Sequence, residues 1–146
     1  MLAQLEFPIV NYEVCREKIR EYVVAIGDTN PMHSDPSTAR ELGYKDIVAP
    51  PTFAACFATA PMRRAMADQE WLDRAGIDPK RGVIHGEQKF EFKRPITPGD
   101  RLIVRCIVED VSLKKSGLVF LKVASRVDSE RGDLVLEGQS TIVLRP

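Results

Sequence analysis

The run Thr52-Phe53-Ala54-Ala55-Cys56-Phe57-Ala58-Thr59-Ala60 carries no charged side chain, and a proline stands directly before it and directly after it. A helix of this composition, starting near Pro51 or Thr52, has no polar face to offer water and must be buried nearly all round. Pro61 ends or kinks it, because proline removes a backbone donor and collides with the preceding turn. A buried helix needs other elements to wrap it, and the long apolar segments that remain lie C-terminal to it. There the hydrophobic period changes to two. In Val83 to Arg94, Ile84, Phe90 and Phe92 share one face while Glu87, Lys89, Glu91 and Lys93 share the other. Leu102, Val104, Cys106 and Val108 alternate next, and Phe120, Ala124 and their neighbours in Leu118 to Val127 continue the pattern. Turn-forming residues at Pro98-Gly99-Asp100, Lys114-Lys115-Ser116-Gly117 and Asp128-Ser129-Glu130-Arg131-Gly132-Asp133 predict that consecutive strands pair antiparallel. The fold class that follows is α+β, a long antiparallel sheet wrapped around a buried central helix. With 146 residues and no repeat, linker or low-complexity segment, residues 1–146 are expected to form a single domain.

Ahead of the buried helix the period is helical. From about Cys15 to Ile26, the residues Ile19, Tyr22, Val23 and Ile26 fall on one stripe of a helix that Gly27 stops. A second helix is expected from Pro36 to Leu42, capped by Asp35, begun by Pro36 and ended by Gly43. Trp71 to Arg81 reads as a connection.

Between these two helices lies Gly27-Asp28-Thr29-Asn30-Pro31-Met32-His33, which joins an acid to one of only two histidines. On a continuous helix, side chains five apart diverge by about 140° and could not meet. Gly27 favours a left-handed helix end and Pro31 keeps Asn30 out of the helical region, so Asp28 and His33 belong to a tight, irregular loop. A carboxylate beside an imidazole can hold one water or hydroxyl between them, one group accepting a proton while the other donates. Taken singly, Asp28 is an ordinary turn or capping residue and His33 a surface loop histidine. Together, at this spacing, they are the catalytic candidates, with Asn30 fixing the loop through its amide. His85 shares strand parity with Glu87 and Lys89, which suggests a polar face or subunit interface, unless Gly86 marks a bulge that redirects it. Cys56, mid-helix among alanines, is a small core residue.

The 21 basic and 21 acidic residues balance, leaving no electrostatic footprint for nucleic acid or an anionic membrane. No apolar stretch approaches the roughly 20 residues of a membrane span, and Met1 to Glu6 lacks the regions of a signal peptide. Cys15, Cys56 and Cys106 are odd in number and form no CxxC pair, which favours reduced thiols and a cytoplasmic location. Two histidines without clustered ligands argue against a metal site.

From Tyr22 through Gly27, Asp28, Asn30, Pro31 and His33 to Ala39, the chain resembles the hydratase-2 motif of the MaoC-like (R)-specific enoyl-thioester hydratases and dehydratases. Ile47 to Phe53 and Pro95 to Asp100 resemble the stretches that lead into the central helix and join the first long strands in that family. Asn11-Tyr12-Glu13-Val14 and Arg16 to Tyr22 are similar, more narrowly, to the FAS1-like dehydratase or MaoC N-terminal branch, which includes mycobacterial fatty-acid-elongation dehydratase subunits. The resemblance implies a hotdog fold and reversible hydration of trans-2-enoyl thioesters to (R)-3-hydroxyacyl thioesters, without a cofactor. It implies Asp28 and His33 as the catalytic pair, Gly27, Asn30 and Pro31 as supporting loop, and an acyl-CoA or acyl-carrier-protein thioester as substrate. A homodimer, or a heterodimer with another MaoC-like subunit, is expected because a sheet of about five strands leaves an edge open. Charge on the thioester oxygen would be met by amides at the start of the buried helix, with Thr52 and Phe53 the candidates. Arg63, Arg64, Lys114 and Lys115 are candidates for the carrier phosphates. Relatives with well-formed sites read Ala-His-Gly-Met at that helix start, whereas this chain reads Ala49-Pro50-Pro51-Thr52, and proline has no amide hydrogen. Two alternatives follow: a substrate-binding subunit of a heteromeric dehydratase, and a hotdog thioesterase. The second would want a carboxylate on the central helix, and Thr52 to Ala67 contains none.

Overall fold

The structure, a computed structural model, describes residues 4–145; of the Met1 to Glu6 segment read above, Met1 to Ala3 lie outside the described residues. The elements run β1 (Val10–Glu13), α1 (Arg16–Ile26), a 3-10 turn (Pro31–His33), α2 (Pro36–Glu41), a 3-10 turn (Pro51–Ala54), α3 (Ala55–Ala58), α4 (Ala60–Met66), α5 (Gln69–Ala75), a 3-10 turn (Pro79–Arg81), β2 (Val83–Phe92), β3 (Arg101–Leu113), β4 (Val119–Ser129) and β5 (Leu134–Leu144). The strands form one antiparallel sheet in the order β1-β3-β4-β5-β2. Two of the three turns behave as expected and join β3 to β4 and β4 to β5 as hairpins. The Pro98-Gly99-Asp100 turn does not, because β2 pairs with β5 and β3 with β1. Its segment crosses the end of the sheet instead, and Pro95 and Pro98, which lack an amide donor, are poor members of a ladder.

One face of the sheet is the core floor. Leu102, Val104, Cys106 and Val108 of β3 lie beside Leu121, Val123 and Val127 of β4 and Leu136 of β5, all buried. The register puts Phe120 and Ala124 on the opposite face, correcting the reading that assigned them to the apolar pattern; Leu121 and Val123 hold the core positions. Above the floor runs the central helix, with Phe53, Ala54, Phe57 and Ala58 fully enclosed. Two aromatic contacts tie it to its neighbours, Tyr22 to Phe53 at 5.4 Å between ring centroids and Tyr12 to Phe57 at 5.3 Å, and within the helix Phe53 meets Phe57 at 6.2 Å. Each such pair is worth about 1 kcal/mol beyond the area it buries.

Pro61 breaks the central helix without ending it. The chain passes through Thr59 and resumes as α4 with Pro61 in its first turn, where a missing donor costs least. Side chains close the gap. The Thr59 hydroxyl donates to the Ala55 carbonyl at 2.8 Å, and Arg63 donates to the Thr59 hydroxyl at 2.5 Å and to the Cys56 carbonyl at 2.9 Å. Half of the stretch read as a connection is helix: Asp68 caps α5 through the Trp71 amide, Gly76 ends it in the left-handed region, and Trp71, Leu72 and Ala75 bury its inner face.

Strand β2 contains a bulge between His85 and Glu87, at Gly86. The extra residue exchanges the two faces, so the parity reading fails for the first residues of the strand. His85 stands opposite Ile142, in the rung that holds Leu121, on the core side; Ile84 goes to the outer side with Glu87 and Lys89.

Candidate functional site

The loop between α1 and α2 is built by short-range hydrogen bonds. Gly27 ends α1 at φ 67°, a conformation that costs a residue with Cβ, and the next amide, of Asp28, returns to the Val23 carbonyl at 3.0 Å. The Asp28 carboxylate accepts from the Asn30 amide at 2.9 Å, and the Asn30 side chain accepts from the Met32 amide at 3.1 Å. Pro31 opens the 3-10 turn that ends at His33. Asp28 and Asn30 thus each fix the backbone two positions onward, and the turn brings His33 back over Asp28. His33 Nε2 lies 3.7 Å from Asp28 Oδ2.

His33 is not the surface residue that a loop position suggests; it is only 5 % exposed, and the Asp28 side chain 27 %. The cause is a backbone group. The Val48 carbonyl sits 2.6 Å from His33 Nδ1, and since a carbonyl only accepts, Nδ1 carries the hydrogen. Nε2 is therefore the ring nitrogen that meets Asp28 and any reacting molecule. A separation of 3.7 Å allows one oxygen to lie at an ordinary hydrogen-bond distance of about 2.8 Å from both groups. The arrangement can hold a water or hydroxyl and move a proton on or off it at either side.

Downstream, Asp35 caps α2; the Thr38 hydroxyl first, then the Ser37 and Thr38 amides, hold its carboxyl below the usual carboxylate range. At the start of the central helix Pro50 and Pro51 supply no amide hydrogen, and the Phe53 amide donates to the Pro50 carbonyl at 2.9 Å. Phe53 is thus already engaged. Of the two candidates, Thr52 is the exposed residue of the first turn and Phe53 is buried. The helix also begins as two pieces of four residues each, so few aligned peptides contribute a dipole there.

The basic candidates are scattered. Arg63 spends its guanidinium on the helix break, and Arg64 reaches the Ile9 carbonyl at 3.5 Å. Lys114 and Lys115 lie in the β3–β4 hairpin, at the opposite end of β3 from Arg101, and Lys114 stands over the Phe120 ring at 5.2 Å. Cys56 is half-buried and burial raises its thiol pKa; Cys106 is enclosed, donates to the Ala58 carbonyl and is pushed up to about 12 by the same cause. Neither suits a nucleophile. An open cleft of about 600 Å³ at the sheet end is lined by Tyr44, Lys45, Arg94, Arg101 and Arg131, and contains neither Asp28 nor His33. Among the described residues no helix is long and apolar enough to cross a membrane.

What sequence reasoning missed at the site is the Val48 carbonyl, a main-chain group that no residue type announces.

Comparison with known proteins identifies the family and the fold. The family model described as "FAS1-like, dehydratase domain region" matches residues 5–138. A UPF0336 protein of Saccharopolyspora erythraea is 40 % identical over 138 residues, covering 94 % of this chain and 85 % of its own length. One from Streptomyces avermitilis is 38 % identical over 138 residues, covering 94 % and 88 %. In fold, the chain is similar to the C-terminally truncated HadBC (3R-hydroxyacyl-ACP dehydratase) complex of Mycobacterium tuberculosis, with TM-score 0.82, 23 % identity and coverage of 98 % and 97 %. It is also similar to the R-hydratase PhaJ1 of Pseudomonas aeruginosa, with TM-score 0.72, 22 % identity and coverage of 100 % and 83 %. The fold is the hotdog fold of the MaoC-like hydratases and dehydratases, and the chain belongs to the FAS1-like dehydratase domain family.

Proposed function

We propose that this protein adds water reversibly to trans-2-enoyl thioesters, giving (R)-3-hydroxyacyl thioesters, with Asp28 and His33 as its acid–base pair. The observation that carries the reading is the 3.7 Å gap between Asp28 Oδ2 and His33 Nε2, with Nδ1 turned away to Val48. In hydration, a water between the two groups loses a proton to Asp28 and its oxygen adds to the β-carbon. Electron density moves through the α-carbon to the thioester oxygen, and doubly protonated His33 delivers a proton from Nε2 to the α-carbon. Water is consumed, one C–O and one C–H bond form, and the pair is left with its proton on the carboxylate instead of the ring. Dehydration runs the same steps backwards. The Thr52 amide is the donor this chain offers to the developing oxyanion, and such donors are worth about 3 kcal/mol each.

The substrate is a coenzyme A or acyl-carrier-protein thioester, with Arg63 and Arg64 nearer in sequence and structure to the central helix than Lys114 and Lys115. The working form is at least a dimer. Val83 and Phe92 on the core side of β2 and Ile84 on its outer side remain 36–40 % exposed, on the strand that ends the sheet. The HadBC and ChsH1-ChsH2 structures, both complexes, support pairing. A second reading, a subunit that needs a MaoC-like partner to react, is favoured by one observation: Pro50, Pro51 and the engaged Phe53 amide leave a single oxyanion donor.

Purified protein incubated with crotonyl-CoA and longer enoyl-CoAs tests these readings when enoyl absorbance and free thiol are followed separately. Loss of absorbance without thiol release is the expected result. Thiol release means thioester hydrolysis and overturns the proposal, while no reaction by the isolated chain, restored by a partner subunit, establishes the second reading.

A further inference from the structure

The segment from Asp46 to Ala49 belongs to no helix or strand, yet Ile47, Val48 and Ala49 are buried and the Val48 carbonyl aims His33. Irregular backbone holds such a position only when its polar groups are tied down. Here every amide in it after Asp46 is. The Ile47 amide donates to the Asp46 carboxylate at 2.8 Å, the Val48 amide to the Met32 carbonyl at 3.2 Å, and the Ala49 amide to the Ile96 carbonyl at 2.8 Å. An ion pair stands behind each end. Arg16, the first residue of α1, pairs with Asp46. Beyond Ala49, the loop carrying Ile96 is closed by Arg94, which donates two parallel bonds to Asp100 at 2.8 and 2.9 Å and one to the Pro95 carbonyl at 2.9 Å. Asp100 also accepts from the Thr97 amide at 3.0 Å. The loop is further pinned to the start of α1 by Gly99 and Val14, 2.8 Å apart as donor and acceptor.

Resting on the hydratase reading, we propose that the Arg94–Asp100 and Arg16–Asp46 pairs are positioning residues for His33, acting through Ile96, Ala49 and the Val48 carbonyl. Neither pair touches the reacting atoms. Their effect is to hold a main-chain oxygen where it keeps Nδ1 protonated and Nε2 facing Asp28. A fork-to-carboxylate pair is suited to this because two parallel bonds fix orientation as well as distance, which a single-point contact from lysine does not. Small displacements matter: a misplacement of about 1 Å originating away from the chemistry can cost up to about 10²-fold in rate.

The chain contains only His33 and His85, so the ring nitrogens of both can be resolved by long-range proton–nitrogen NMR, with exposed His85 as internal reference. Arg94→Gln and Asp46→Asn should speed solvent exchange of the His33 Nδ1 proton by at least about tenfold and shift its nitrogen resonances, leaving His85 unchanged. In the same variants kcat should fall roughly 10-fold to 10²-fold with KM within twofold. Arg94→Lys, which keeps the charge and loses the fork, should lie between them and wild type in both readouts, and it carries the test if the glutamine variant does not fold. Arg105→Gln, on the outer face of the sheet, should alter neither. An unchanged His33 Nδ1 signal in the folded Arg94 and Asp46 variants overturns the proposal. The NMR result is independent of turnover, so a protein inactive as a hydratase but with the shifted His33 signal would count against the function alone.

Discussion

The least regular part of the molecule satisfies most of its own hydrogen bonds, whereas a ten-residue strand at the sheet edge is paired along one side only. From Gly27 to Ala49 the chain has only a 3-10 turn and the short helix α2, but His33, Ala39, Ile47, Val48 and Ala49 are buried and most of the loop amides find acceptors. Strand β2 is ten residues long, bulged at Gly86 and paired on one side only, with Val83, Ile84, His85 and Phe92 all exposed. Regular geometry satisfies a strand's hydrogen bonds only where a neighbour exists, whereas a loop with the right side chains satisfies its own. The lesson is about division of labour. Under the proposed function, the acid–base geometry is encoded within one chain and the enclosure of a substrate falls to a second one.

The sharpest way to break the first half of that contrast is to remove a proton carrier without disturbing the loop. Asp28→Asn keeps an oxygen to accept from the Asn30 amide, so the fold should persist while turnover falls roughly 10²-fold to 10⁴-fold. His33→Gln should lose as much rate and in addition about 1–3 kcal/mol of stability, because the Val48 carbonyl loses its ring donor in a buried place. Steady-state rates beside thermal melts check both. Near-normal turnover by either would remove the pair from the mechanism.

The second half depends on β2. Phe92→Asp should weaken self-association by roughly 10-fold to 10²-fold, the scale of burying one large apolar side chain at an interface. Light scattering across a dilution series reads this directly. A wild-type chain that stays monomeric at micromolar concentration with full activity would show that β2 needs no partner.

A smaller effect tests where the two halves meet. Pro51→Gly returns an amide to the helix start but releases the backbone that proline fixes near φ −65°. In a self-sufficient enzyme it should change turnover at least about tenfold in one direction, about 1.4 kcal/mol. With a partner subunit carrying the working oxyanion site, the assembled complex should be nearly unchanged, and assays of the variant alone and with partner distinguish the two.

Much of this molecule can be read from local signals because those parts are locally determined. Most of the stripe read on α1 faces inward at Ile19, Tyr22 and Val23, although its last member Ile26 is exposed; Gly27 as helix stop, Asp35 as cap and the loop chemistry of Asp28, Asn30 and Pro31 act within a few residues, and each does in the structure what its type favours. The errors fall where a distant partner or a single insertion decides. A bulge at Gly86 moves His85 to the core side, and no periodicity in β2 records which face of the sheet meets the helix. Helix α5 carried its own signals in Asp68 and Gly76, hidden by the charged residues on its outer side. The crossover of Pro95 to Asp100, which puts β2 beside β5, is a property of the whole sheet, and the Val48 carbonyl and its two ion pairs join segments as distant in sequence as Arg16 and Asp46, or Ala49 and Ile96.

The central claim, that this chain holds a water-adding acid–base pair for enoyl thioesters, is tested most directly by the product. Chiral separation of what the purified protein forms from crotonyl-CoA should give the (R)-3-hydroxyacyl thioester with its thioester bond intact. Formation of the (S) isomer, or of free acid and thiol, would contradict it.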